Sequence, residues 1–206
     1  MARKAQANHP TKAALLEAAA ALLEANQPEA LTVDMVCKES GVVLGSLYYH
    51  FKDLPTLVDQ AMVYRFAKYV DRSIDWLNEA LDGSQSKDEF FVGLRRVTRG
   101  TQAREMHAAR AERAGAINRA SSHAEFRLLL GAEQQRLTDE LADIVKGAQS
   151  KGWVNHAIDP KASAVLIQSY TLGRSVDDIT PEPMNDDEWI KLIDALVDAI
   201  FGGPAV

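Results

Sequence analysis

The 206-residue chain has one cysteine, no long apolar run and no excess of positive charge, and each shortage closes off a class of protein. A single cysteine, Cys37, excludes an internal disulfide and a cysteine-rich zinc site, and suits a reducing compartment such as the cytoplasm. No apolar stretch approaches the roughly 18 residues that a membrane span needs, so no membrane partner is expected. The basic start, Arg3 and Lys4, has no apolar segment behind it and does not read as a signal peptide. A net charge of −6 excludes a protein that is basic all over, so any contact with a polyanion must rest on a local face. Val, Ile and Thr never alternate in a sustained way, which leaves strands without a signal. His9, His50, His107, His123 and His156 are scattered without metal-ligand spacing, and neither a phosphate loop nor a nucleophile–base pair is visible. No metal, no cofactor and no enzymatic activity are therefore expected.

What is present is helix. Ala, Leu, Glu, Gln and Arg dominate, and apolar residues recur at helical spacing. The reading is an all-α chain of about nine helices, over residues 11–25, 33–40, 44–51, 54–81, 87–99, 102–119, 124–150, 161–179 and 188–201. Local signals set the bounds. Thr11, Thr32, Asp53 and a Ser122/Glu125 capping box open helices, with Pro55 tolerated in a first turn. Asn26 in the left-handed conformation, Gly41 and Gly152 close them. The expected organisation is a flexible basic arm over 1–10, a small helical domain over 11–53 and a larger one over 54–206. The fourth helix, 54–81, connects the two.

The most informative stretch is 31–57, LTVDMVCKESGVVLGSLYYHFKDLPTL. A short helix, a glycine corner, a second short helix and an aromatic exit are the parts of a helix-turn-helix, whose second helix enters the DNA major groove. Leu47 and Phe51, four apart, belong to a core with Leu31, Val36 and the first helix. The remaining residues are candidates for double-stranded DNA. Leu44 and Tyr49 suit thymine methyls, Gly45 and Ser46 allow close approach, and Thr32, Tyr48, His50 and Lys52 suit phosphates. Three aromatics, a histidine and a lysine in five consecutive residues cannot all face one core.

Thr32-Val33, Gly41-Val42, the run Gly45-Ser46-Leu47-Tyr48-Tyr49-His50-Phe51-Lys52 and Leu57 together resemble the tetracycline-repressor-like (TetR) family of bacterial regulators. The likeness is close over residues 11–57 and is only one of helix count beyond. It implies a homodimeric, ligand-responsive regulator, most simply a repressor of a roughly palindromic operator. The chain departs at Val43, Leu44 and Leu54, where family members often carry Ser or Thr, a polar or basic residue, and Lys. Those departures point to readout by methyl contacts and shape.

The resemblance also implies a cavity for a small-molecule effector, largely apolar, among the fourth to eighth helices. Met62, Phe66, Tyr69, Phe90, Met106, His107, Arg110 and Tyr170 are its candidate lining, and core packing is the alternative for each. The arginines from Arg95 to Arg127 read either as one or two ligand-binding cations or, more plainly, as a solvated face balanced by nearby glutamates. The acids from Asp177 to Glu188 read as a solvated connection. Val165, Ser169, Leu172, Gly173 and Val176 form one late stripe; Trp189, Ile193, Leu196, Val197 and Ile200 form another. By resemblance the two stripes make a four-helix interface between copies; alternatively both fill the protomer core. Two other functions stay open: a helical protein-interaction module with weakened DNA binding, and an all-α enzyme.

Overall fold

The computed structural model describes residues 9–202. Every regular element among the described residues is helical. In order they are α1 (Pro10–Leu22), a 3-10 turn (Pro28–Ala30), α2 (Val33–Ser40), α3 (Leu44–His50), α4 (Leu54–Asp82), α5 (Lys87–Gln102), a second 3-10 turn (Arg104–Met106), α6 (His107–Ser122), α7 (Ala124–Ser150), α8 (Pro160–Gly173), the four-residue α9 (Ser175–Asp178) and α10 (Asp186–Phe201). Nine of these helices have seven residues or more, so the all-α expectation holds. The arm bearing Arg3 and Lys4 lies outside the described residues. No helix among the described residues is long and apolar enough to cross a membrane.

The chain divides into two compact units, the first running through Tyr69 and including Leu128–Leu130, the second holding Val70–Arg127 and the chain from Gly131 onward. Helix α4 contributes residues to both. In the first unit, Leu15, Ala19 and Ala20 of α1, Leu31, Val36 of α2, Leu47 of α3, Phe51, and Leu57, Val58 and Ala61 of α4 form one buried cluster. Burying a Leu or Phe side chain contributes about 1.5–3 kcal/mol, so this set holds three short helices that would be marginal alone. Cys37 is half-buried and packs on the edge of the cluster. So does Met62, the core-packing alternative for that candidate effector residue.

Several terminators act as expected. Thr32 accepts the Met35 amide at 3.3 Å, Asp53 accepts that of Thr56 at 2.8 Å, and Gly41 closes α2 at φ 66°. Others differ. Helix α1 starts one residue early because Pro10 fits its first turn, and Thr11 is not its cap. It stops at Leu22, where the Asn26 side chain donates to the Leu22 carbonyl at 2.7 Å, and Asn26 is not left-handed. The Ser122/Glu125 capping box does not form: His123 occupies the cap position of α7, and the Ser122 hydroxyl donates back to the Arg119 carbonyl at 3.2 Å. The single helix expected over 161–179 is interrupted at Arg174, giving α8 and α9.

That interruption organises the polar interior of the second unit. Arg174, 2% exposed, bonds the Gln102 carbonyl and the Asp186 carboxylate. Gln102 in turn accepts the Trp189 indole N–H at 2.8 Å. Arg110 binds Asp178 through two hydrogen bonds of 2.6 Å and reaches the Ala103 carbonyl at 3.1 Å. The solvated-face reading of the arginines is thus wrong for Arg110 and Arg113, both buried, and the solvated reading of the acids is wrong for Asp178. Arg95 and Arg99 do lie at the surface, ion-paired with Asp198 and Asp194.

Candidate nucleic-acid interface

The first unit presents one short helix whose two sides differ sharply. Leu47 is fully buried and Phe51 is 2% exposed, which fixes the inward side of α3. Outward stand Val43 at 71%, Leu44 at 53%, Tyr48 at 52% and Tyr49 at 81% exposure. Leaving four large apolar or aromatic side chains in water on one ten-residue segment forgoes burial that any core would supply. Gly45 lies among them, and a Cβ built there would meet nothing within 4 Å. Val43 provides no side-chain cap, so the first amides of α3 are left without that partner. Ser46 is half-buried, and Thr32 and Lys52 are exposed at the start of α2 and the end of α3.

The other candidate on this surface is His50. Its ring lies edge-on to Tyr49 at a centroid distance of 5.0 Å and tilted against His9 at 4.5 Å. Partial burial, and then the nearby His9 and Lys12, hold the His50 imidazole below its ordinary range, so it is biased toward the neutral form. Lys12 sits with its Nζ 5.5 Å from the centre of the Phe51 ring. Asp53 has its carboxyl held low by hydrogen bonds from Thr56. Sequence reasoning missed His9 and Lys12: they stand 41 and 38 residues before His50, and no local pattern links them.

The eight residues expected at an effector do not all fall in one unit. Met62, Phe66 and Tyr69 belong to the first, where Phe66 and Tyr69 stack at 6.4 Å. In the second, Phe90 stacks on Trp153 at 5.7 Å, Arg110 is held by Asp178, and His107 is exposed with Nδ1 3.1 Å from the Arg104 carbonyl. Met106 and Tyr170 are half-buried. No group of three or more His, Cys, Asp or Glu among the described residues could hold a metal ion.

The two late stripes also separate. On α8 and α9, Val165 and Val176 are 51% and 73% exposed, Ser169 and Gly173 are exposed, and Leu172 is half-buried. On α10, Ile193 and Val197 are 2% and 3% exposed, the protomer-core alternative for this stripe. Trp189, Leu196 and Ile200 are half-buried, and the outward α10 face carries the exposed Leu192, which lies outside the expected stripe.

Residues 15–60, from the core of α1 to the first turns of α4, match the family described as bacterial regulatory proteins, tetR family. The N-terminal domain is that of the TetR family. The rest of this TetR-like chain is placed by fold. It is similar to Salmonella enterica GusR, with a TM-score of 0.70, 21% identity, and coverage of 94% of this chain and 96% of that one. A TetR-family transcriptional regulator from Rhodococcus sp. gives 0.67 and 23%, covering 93% and 98%. A transcriptional regulator from Saccharomonospora viridis, described in complex with choline, gives 0.65 and 14%, covering 92% and 96%. Comparison with curated protein sequences gives no match. The family match covers residues 15–60, and beyond them the likeness to these regulators is one of fold.

Proposed function

We propose that the protein is a cytoplasmic, non-enzymatic repressor that binds a roughly palindromic operator as a homodimer and leaves it when a small molecule binds the larger unit. The observation that carries this reading is the two-sided α3. Its core residues fix the helix, while Leu44, Gly45, Tyr48 and Tyr49 stand free of the protomer beside Ser46, His50 and Lys52. On this reading Thr32, Tyr48, His50 and Lys52 grip phosphates, and Leu44, Ser46 and Tyr49 meet base edges. A homodimer would place its two α3 helices at half-sites about one helical turn of DNA, roughly 34 Å, apart.

Support for the dimer comes from the exposed apolar positions Val165, Val176 and Leu192, together with Gly173, where a Cβ would meet nothing within the protomer. The interface set on this reading is Val165, Ser169, Leu172, Gly173, Val176, Leu192, Leu196 and Ile200. The effector is proposed to be largely apolar, with Phe90, Met106 and Tyr170 in its neighbourhood. A protein of the same fold described with choline bound supports a small-molecule partner as a class of event.

Selection of duplexes from a random pool tests the reading. The expected result is enrichment of inverted repeats with half-sites about 10 base pairs apart. Tyr49→Ala and Lys52→Ala are expected each to weaken binding of the enriched duplex by about 5- to 100-fold with folding intact, the worth of roughly 1–3 kcal/mol per contact. Wild-type affinity in both variants would refute the assignment of α3.

A further inference from the structure

We propose that His9 joins His50 and Lys12 in one phosphate-binding site that takes up a proton when duplex DNA docks. The proposal rests on α3 being the docking helix and adds a set of residues from the other end of the small domain.

Three nitrogen-bearing side chains converge where the chain entering α1 meets the chain leaving α3. The imidazoles of His9 and His50 are 4.5 Å apart between ring centres and inclined by 51°. Lys12, in the first turn of α1, lies against Phe51, the residue after His50. The charged and titratable groups that face His50 are thus His9 and Lys12 from the α1 segment and Tyr49 from its own helix. No carboxylate offsets them from the first turn of α1, and Asp53 directs its own carboxylate to the Thr56 amide.

Such a set is poorly suited to the free protein and well suited to an anion. Burial of the His50 ring, then the neighbouring His9 and Lys12, lower the affinity of His50 for a proton, so in the free protein its imidazole is biased toward the neutral form. A backbone phosphate brought against α3 reverses that balance. Each imidazole gains an anionic acceptor, and the imidazolium form can donate from both ring nitrogens. Because Tyr49 abuts the His50 ring, docking of Tyr49 on the duplex and closure on the phosphate involve the same pair of side chains. Binding then consumes a proton and must tighten as pH falls.

The test uses the full chain and the duplex it enriches from a random pool. Binding is followed by fluorescence anisotropy at about pH 6 and about pH 7.5 at constant ionic strength, spanning the imidazole range. Wild type is expected to bind roughly 3- to 10-fold more tightly at the lower pH. His9→Gln and His50→Gln are each expected to lose half or more of that difference, with unchanged melting. Lys12→Gln is expected to weaken binding at both pH values and to lower the salt slope by about one. Inorganic phosphate added alone is expected to leave the imidazole resonances of His9 and His50 unmoved in proton NMR; a shift equal to that caused by the duplex would make this a free-anion site and overturn the proposal. Retention of the full pH difference in His9→Gln, or its absence in a wild type that binds, would also overturn it while leaving α3 as the docking helix. A wild type that binds no duplex at either pH would remove the docking reading itself and this site with it.

Discussion

Replacing Asp178 by Asn isolates the interaction that holds the α9 turn to α6. The Arg110 side chain is 4% exposed and that of Asp178 is 13% exposed, and two hydrogen bonds of 2.6 Å join them. The hydrogen bonds from Arg110, followed by its charge and those of Arg174 and His107, hold the Asp178 carboxyl below the usual carboxylate range. Asparagine keeps the volume but removes the charge and turns an amide donor toward guanidinium donors. Leaving a buried charge without its counterion costs about 3–5 kcal/mol. Arg110 keeps the carbonyls of Ala103 and Thr101, and Asp178 keeps some contact with water, so about 3 kcal/mol is expected. For a chain of this size each kcal/mol moves the melting temperature by about 2–4 °C, and the predicted loss is about 6–12 °C at neutral pH. The carboxyl has a lower proton affinity folded than unfolded, so its contribution is complete above about pH 4 and fades as pH falls through the folded value. Urea unfolding of wild type and variant should therefore converge on acidification below about pH 4. The double variant Arg110→Met/Asp178→Leu should recover much of the loss, since no charge is then stranded. A single variant that melts within about 2 °C of wild type, or a gap that stays constant in acid, would refute the assignment of this pair as a buried tether.

Leu47→Ala should cost about 2–5 kcal/mol in urea unfolding and remove DNA binding by loosening the small domain, whereas Tyr49→Ala should shift stability by no more than about 0.5 kcal/mol. Val43→Ser should raise stability by about 1 kcal/mol, because a hydroxyl there can accept one of the uncapped α3 amides. Trp189→Phe should cost about 1–3 kcal/mol, as the fully buried Gln102 loses the donor to its Oε1.

The parts of the fold written in short-range chemistry were legible. Thr32, Gly41 and Asp53 each act within three residues of themselves, and each stands where a cap or corner was expected. Leu47 and Phe51 could be assigned to the core because their helix is so short that two positions four apart define its only buried side. The α10 stripe was harder. It includes Ile193 and Val197, which are buried, with Leu196 and Ile200, which are half-buried, while the exposed Leu192 lies beside it, and periodicity alone cannot locate the core within so wide an arc. The polar interior was not legible at all. Arg110 finds Asp178 across 68 residues and Arg174 finds Gln102 across 72, and nothing near either arginine distinguishes it from the surface arginines Arg95 and Arg99. His9 beside His50 is the same kind of omission, a pairing made by tertiary structure between residues that carry no mark of each other.

The open space around Gly45 has a use of its own. A Cβ at this position meets nothing in the protomer within 4 Å, and replacing glycine inside a helix relieves roughly 0.5–1 kcal/mol of conformational cost. Gly45→Ala would therefore stay folded, and its affinity for the duplex would report whether the helix backbone lies within a methyl group's reach of whatever lies opposite it.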